Sequence, residues 1–287
     1  MARPRPDPSA FLEEVYRRYH RPELVHPDPL EFLRPYPDLG DREVVAVLAS
    51  GLAYGQVGGI VRSVGRVVAA LGPRPARLLA RIATPDLAGR LEGFQHRWTR
   101  APDVVVLLRT VEEAQRAWGS LGARLAACQQ TGDSDLQPAL VRWVAALREL
   151  GLPLRHSLMA DPARGSACKR LYLLARWMVR ADAIDPGGWS GISPAQLLVP
   201  TDVHMHRIGR ALGFTRRRAA DLRTVREITA GFRRVAPADP VRFDFALTRM
   251  PIHDRLSPAS VRALVRSGFS GDRLSPASPN QKITRLS

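Results

Sequence analysis

The amino-acid sequence predicts an all-α protein, and three of its features lead to this prediction. Apolar residues recur at three- and four-residue intervals along most of the 287 residues, as in helices that bury one face. No segment shows sustained alternation of valine, isoleucine or threonine with polar residues, so we expect little sheet. Glycine and proline interrupt or close the periodic segments, as they commonly do at helix ends.

The longest periodic region, residues 42–72, is interrupted by glycines and closes at Gly72-Pro73. The same spacing predicts helices over residues 76–82, 85–98, 102–118, 120–130, 135–150, 166–180, 202–212, 217–234 and 239–249. Prolines and glycines cluster in residues 182–200, which indicates a structured connection between two helices. Trp177 and Trp189, on either side of its start, are expected to pack in the core.

We assign residues 1–252 to one helical domain and residues 253–287 to a Ser/Pro-rich extension, which we expect to be flexible at its end. The heptapeptide DRLSPAS occurs in the extension twice, at residues 254–260 and 272–278. Two copies are too few for a solenoid.

A net charge of +16 and an isoelectric point near 11.3 predict a polyanionic partner, with nucleic acid first and an anionic membrane surface second. The apolar runs are too short to span a bilayer, and the first residues, MARPRPDPSA, lack the apolar stretch of a secretory signal. We therefore expect a cytoplasmic protein. Two cysteines, and seven histidines without HExxH-type spacing, lead us to expect neither a metal nor a cofactor.

Lysine is nearly absent, since only Lys169 and Lys282 among the 43 basic residues are lysine. Lys282 lies in the polar last stretch, whereas Lys169 lies near the start of a predicted helix with one buried face. Arginine replaces lysine electrostatically, but a guanidinium does not lose its proton to become a nucleophile. Lys169 is therefore a candidate amine nucleophile, with chance retention as the alternative.

A single acid, Asp202, stands in the basic segment VPTDVHMHRIGR, residues 199–210. Asp202 lies at a predicted helix start. Its side chain is suited to be the N-cap, which accepts hydrogen bonds from the first amides of the helix. A carboxylate fixed by such amides stays ionised, and it is also suited to face a positive charge that develops on a substrate. The interval between Lys169 and Asp202 holds a helix and the Pro/Gly connection, so we expect the two side chains at one site.

VPTDVHMHRIGR resembles the catalytic aspartate segment of the eukaryotic 8-oxoguanine DNA glycosylases, in which a proline precedes an Asp-Val-His-Met run. GSACKR, residues 165–170, resembles the hairpin lysine segment of the helix-hairpin-helix DNA glycosylase superfamily. Residues 49–72 resemble that superfamily's early helix, whose N-terminal end lines the damaged-base pocket. With FDFAL, residues 243–247, the chain from about residue 28 to 247 is similar to a little-characterised prokaryotic family related to these enzymes. The long Lys–Asp interval is most similar to the archaeal oxoguanine glycosylases.

Two departures from the superfamily pattern bear on DNA binding. The Leu-Pro-Gly-Val-Gly hairpin is absent and only Gly165 stands in its place, which puts the phosphate contact of that hairpin in question. The early helix offers Tyr54 and Gln56 in place of the polar asparagines of the eukaryotic enzymes.

The resemblance implies a helix-hairpin-helix glycosylase-like fold, with the active site in a cleft between two helical subdomains. It implies a base-excision-repair DNA glycosylase and AP lyase, acting as a nucleoid-associated monomer on double-stranded DNA that contains an oxidised purine such as 8-oxoguanine. The nucleotide must leave the duplex before its base is reached. Lys169 would then attack the sugar and form a Schiff base, while Asp202 would stabilise the positive charge of the sugar.

Six further residues are candidates for substrate binding: Tyr54, Gln56, Gly165, His204, Arg207 and Asp244. By resemblance His204 contacts a phosphate, and Asp244 reads the N–H groups of the purine. Tyr54 would stack on the unpaired partner base or enter the duplex, and Gln56 would read a base. Each also has a purely structural interpretation, as a packed or solvated side chain. Two other functions stay open: a glycosylase for another lesion, and a nucleic-acid-binding protein that keeps the scaffold without turnover.

Overall fold

Helices carry almost all the regular structure of residues 7–254 and 258–267, the part of the chain that the computed structural model describes. The α-helices are α1 (Ser9–Tyr19), α2 (Leu39–Gly51), α3 (Val57–Leu71), α4 (Pro75–Leu79), α5 (Thr84–Arg90), α6 (Ala101–Trp118), α7 (Leu121–Ala127), α8 (Gln137–Glu149), α9 (Lys169–Val179), α10 (Val203–Leu212), α11 (Leu222–Arg233), α12 (Asp244–His253) and α13 (Pro258–Ser267). Short 3₁₀ helices lie at Pro22–Leu24, Pro29–Leu33, Pro162–Arg164 and Pro194–Gln196. The two-residue strands β1 (Gln95–His96) and β2 (Thr99–Arg100) form an antiparallel hairpin. The all-α prediction is confirmed.

Two of the predicted helices differ in the structure. The region 42–72 forms two helices, α2 and α3, because the chain breaks between them where Gly55 has a φ of +97°. The helix predicted over residues 85–98 is wrong beyond Arg90, since the chain turns at Gly93, with a φ of +65°, and continues as the β1–β2 hairpin. Helices α1 and α13 were not predicted from the sequence.

The core is organised around α2, which is buried from Glu43 to Gly51 and packs against α4, α6 and α9. The Glu43 carboxylate is fully buried and accepts hydrogen bonds from Nε1 of Trp189 (2.8 Å), Oγ of Ser120 (2.8 Å) and the amide of Gly122 (3.1 Å). A buried charge with several donors is tolerated because its lost hydration is replaced. Glu43 thus links α2, the start of α7 and the connection before α10. Both Trp177 and Trp189 are buried, as predicted.

The connection between α9 and α10 is held by a buried ionic cluster. Asp185 is fully buried and binds Nη2 of Arg176 at 2.8 Å and also the Arg180 guanidinium. Arg180 further contacts Asp239 at 2.8 Å, just before α12. Buried charges are stable only when they are paired in this way, and removing one partner is costly. The connection is therefore structured, as the sequence predicted, and it fixes α9 relative to α12.

The start of the extension packs on the domain. Helix α13 lies against α10, and its Val265 is buried. The second DRLSPAS copy and Lys282 lie outside the described residues, as does the end of the extension that was expected to be flexible. None of the described helices combines the length and the apolar character that crossing a membrane requires.

Replacing Gly122 with alanine is expected to destabilise the fold, because the added Cβ would lie 2.1 Å from Cδ1 of Trp189. The indole cannot move away without losing its bond to Glu43. We expect the free energy of unfolding to fall by about 1–3 kcal/mol, measured by urea denaturation. Gly89→Ala in α5 is the control, since its Cβ would meet nothing within 4 Å and alanine favours the helix. Equal losses in the two variants would contradict the tight contact at Trp189.

Candidate active site

The two predicted catalytic side chains meet at the N-terminal ends of two helices. Lys169 is the first residue of α9, and Asp202 is the N-cap of α10. Nζ of Lys169 lies 3.1 Å from Oδ2 of Asp202. Oδ1 of Asp202 accepts hydrogen bonds from the amides of His204 and Met205, each at 2.9 Å. Asp202 is therefore both a helix cap and the partner of Lys169, so the two interpretations of the sequence are compatible.

Asp202 is held in its ionised form. Burial is the largest single influence on its pKa and raises it, but the charge of Lys169 and the amide of Met205 act together in the opposite direction. The net effect places the pKa of Asp202 below its ordinary value. At neutral pH the site therefore contains a fixed negative charge beside the lysine.

An unusual backbone turn brings Lys169 to this position. Cys168, directly before it, has φ of 39° and ψ of 34°, a left-handed conformation that is uncommon for a residue with a side chain. Arg170, the residue after Lys169, donates hydrogen bonds to the carbonyls of Gly51 and Ser157, both at 2.7 Å. These bonds tie the start of α9 to the end of α2. Burial raises the pKa of the Cys168 thiol, so this cysteine stays neutral and fills space beside the lysine.

Lys169 and Asp202 lie in the wall of a cavity of about 380 Å³. Its wall is formed by the 28–29 segment, the α2–α3 junction, α9, α10 and α12. Its volume lies within the roughly 300–1,000 Å³ usual for small-molecule sites. Of the other predicted residues, His204, Arg207 and Asp244 also line it. The structure thus gathers five of the eight predicted site residues around one cavity.

Asp244 is buried against the cavity at the first residue of α12, only 4% exposed. Its Oδ2 accepts a hydrogen bond from Nη1 of Arg176 at 2.6 Å, so the carboxyl is paired, as a buried acid requires. Burial raises its pKa to about 6, against the opposing charge of Arg176 and with the nearby charge of Asp202 adding to the rise. Asp244 therefore changes protonation just below neutral pH.

The other three predicted residues do not line this cavity. The ring of Tyr54 stacks on Trp98, and its hydroxyl lies 2.9 Å from the carbonyl oxygen of His96. Gln56 faces a separate groove beside α3. Gly165 does not line the cavity, and its amide donates to the carbonyl of Pro162 within its own turn. Tyr54, Gln56 and Gly165 thus lie outside the cavity that Lys169 and Asp202 line, and their roles in substrate binding stay predictions.

The cavity wall also contains residues that the sequence did not single out. Asp28 and Arg249 form an ion pair and both line the cavity, as does Arg176. These residues lie far apart in the chain, and no local motif marks them. Within residues 7–254 and 258–267, no group of three or more histidines, cysteines and acids is arranged to hold a metal ion.

The model of one protein family matches residues 28–253, more than half of the chain. The chain belongs to the DUF2400 family. That family is described as a protein of unknown function. The DUF2400 match begins at Asp28 and includes all the cavity residues, up to Ile252. Searches of curated proteins and of solved structures gave no match.

Asp202→Asn is expected to weaken the fold slightly and in a pH-dependent way. The asparagine keeps an oxygen for the two amides and removes the charge that faces Lys169. The two side chains are 35% and 26% exposed, so we expect a loss of about 0.2–1 kcal/mol in the free energy of unfolding at pH 7. Because the pKa of Asp202 is lowered in the folded state, this difference should hold above about pH 4 and vanish as the pH falls further.

Urea denaturation of both proteins between pH 2.5 and 8 measures the difference, with these pH values chosen to bracket the ordinary carboxyl pKa of about 4. Asp202→Ala also loses the cap, so it should lower the free energy of unfolding by about 1 kcal/mol more than Asp202→Asn. A difference that grows on acidification would show that the carboxylate is not stabilised by Lys169.

Proposed function

We propose that this protein is a base-excision-repair DNA glycosylase with AP-lyase activity, acting on an oxidised purine, with 8-oxoguanine as the leading candidate. One observation carries the proposal: a primary amine and an ionised carboxylate 3.1 Å apart open onto one cavity. A lysine in this position is able to attack a sugar carbon. The carboxylate, fixed by backbone amides, is able to stabilise the positive charge that develops there.

The fold proposed with this function is the helix-hairpin-helix glycosylase type, with the active site between two helical subdomains. Two facts support it. The lysine begins one helix and the aspartate caps the next one, in the same order as the matching segments of those enzymes. The cavity wall combines residues 28–60 with residues 169–252, so two distant parts of the chain close around it.

The proposed partner is double-stranded DNA containing a damaged base. The net charge of +16 favours a polyanion. His204 and Arg207 are exposed on the first turns of α10 and line the same cavity as Asp202. A nucleotide whose sugar lies against Lys169 would bring its phosphate within their reach.

The proposed reaction begins once Lys169 has released one proton to water and is a neutral amine. Its nitrogen forms a bond to C1′ as the bond from C1′ to the base breaks, and the proton that the nitrogen sheds leaves with the base. The C1′–O4′ bond then opens, with the electron pair leaving on O4′, which takes a proton from water; this gives a protonated imine. Loss of a proton from C2′ breaks the C3′–O bond, which releases the phosphate and nicks the strand. Water hydrolyses the imine and frees the lysine. Throughout, Asp202 faces the cationic sugar.

Asp244 is proposed to read the base. An ionised carboxylate accepts N–H hydrogen bonds, and 8-oxoguanine offers such donors at N1, N2 and N7. Asp244 lines the cavity while Arg176 holds its other side, so its position is fixed before the base arrives. A base that offered only acceptors at this point would meet the carboxylate oxygen that Arg176 does not bind, and the missing hydrogen bond is costly.

Borohydride reduction is expected to trap a covalent complex between the protein and a duplex that contains 8-oxoguanine. Lys169→Arg keeps the positive charge beside Asp202 but has no nucleophilic amine, so it should give no adduct. Denaturing gel electrophoresis measures the adduct, and filter binding checks that the variant still binds DNA. If Lys169→Arg traps as wild type does, the amine is elsewhere. If wild type traps no oxidised or abasic substrate, the lyase is refuted and a non-catalytic binding protein is favoured.

Base excision is expected to accelerate as the pH rises through about 6, because ionised Asp244 accepts the N–H groups of the purine. Single-turnover rates between pH 5 and 8 measure this, a window of about one to two units around that pKa. Asp244→Asn should remove the dependence and lower the rate at pH 7.5 by about tenfold or more. Asp239→Asn is the control, since Asp239 pairs with Arg180 in the same ionic cluster without lining the cavity. A variant at Asp244 that kept the pH dependence would contradict its role as base reader.

A further inference from the structure

An exposed tryptophan stands at the tip of the β1–β2 hairpin. All five tryptophans lie in the described residues, and Trp98 is the exposed one, at 62%. Trp143, Trp177 and Trp189 are buried and Trp118 is partly buried. Exposing a ring of this size to water is unfavourable, and tryptophans placed in this way are common at binding surfaces.

The hairpin holds the Trp98 ring in a fixed position. Trp98 stacks on Tyr54, with ring centroids 4.7 Å apart and an interplanar angle of 19°. Tyr54 is in turn held through its hydroxyl, 2.6 Å from Oγ1 of Thr99 and 2.9 Å from the carbonyl of His96. Nε2 of His96 lies 2.9 Å from the carbonyl of Tyr54. Tyr54 therefore supports the Trp98 ring without any ligand.

A basic groove of about 500 Å³ lies beside the hairpin. Arg62, Arg66 and Arg97 line it, and no carboxylate is among the described residues of its wall. All three arginines are exposed, and Cζ of the Arg97 guanidinium lies over the Trp98 ring, 5.2 Å from its centroid. An aromatic ring next to a groove of arginines matches a nucleotide, with the base on the ring and the phosphate in the groove.

The groove and the cavity share one boundary, the start of α3. Gly55 and Val57 line the cavity, whereas Gln56 and Gly59 line the groove. Gly55 is close-packed against the hairpin, since a Cβ there would lie 3.2 Å from Cδ of Arg97. A single strand with one nucleotide in the cavity would therefore pass directly to the groove.

We propose that the Trp98 surface, formed by Trp98, Arg62, Arg66 and Arg97, binds an unpaired nucleotide of a DNA strand whose neighbour occupies the cavity. The identity of the polymer as DNA rests on the proposed function. A base that is paired in a duplex already stacks on both faces, so it has no free face for the indole. The proposed substrate therefore has at least one unpaired nucleotide next to the one that is extruded.

Trp98→Ala is expected to weaken binding of a single-stranded oligothymidylate by about tenfold, measured by fluorescence anisotropy of a labelled strand. Binding of a fully paired duplex of equal length should change less than twofold. Trp98→Phe, which keeps an aromatic face, should restore most of the affinity for the single strand. Arg62→Ala should lower the slope of log affinity against log salt by about one for the single strand.

Tryptophan emission gives a second measurement. Oligothymidylate should quench the emission of wild type and of Trp118→Phe, but not that of Trp98→Phe. Equal weakening of single strand and duplex by Trp98→Ala, or no weakening of either, would overturn the proposal. Lys169→Arg separates this proposal from the proposed function, because it should lose borohydride trapping and keep the quenching. If wild type traps nothing yet shows the quenching, the surface stands and the enzymatic proposal falls.

Discussion

The contact between Lys169 and Asp202 requires that two helices begin at the wall of one cavity. Each helix start contributes in a different way. The amides of α10 hold the Asp202 carboxylate, while the left-handed turn at Cys168 presents Lys169 as the first residue of α9. The first amides of a helix are unpaired and attract negative charge, so one structural feature both caps α10 and fixes the anion. The rest of the structure holds these two helix starts in register.

Buried polar groups help to hold these helix starts in place. Asp185 joins Arg176 to Arg180, and Arg176 also holds Asp244. Outside this cluster, Glu43 binds Trp189, which lies in the connection between α9 and α10. Buried charges of this kind contribute little to net stability, but each has few possible partners. They therefore specify how α9, α12 and the connection fit together.

Two groups of arginines stand out among the described residues. Arg176 and Arg180 are buried and paired with acids, so their charge is neutralised within the fold. Arg62, Arg97 and Arg207 are exposed beside the groove or the cavity. The net charge of the sequence therefore indicates a polyanionic partner, while only the exposed group is positioned to meet one. The cavity and the groove adjoin at the start of α3.

The sequence alone determined the helical class, and it indicated Lys169 and Asp202, the two residues on which the candidate site is built. Helical periodicity is a local property, so the helices from α2 to α12 were largely predictable, and lysine depletion together with the segment around Asp202 indicated the two side chains. Tertiary structure decided the remainder. Residues 95–100 form a hairpin, and the ring of Tyr54 stacks on that of Trp98. The tertiary structure also brought Asp28 and Arg249 to the cavity. Residues that meet only when distant segments pack leave no periodic pattern in the chain, because the contact that defines them forms only after folding.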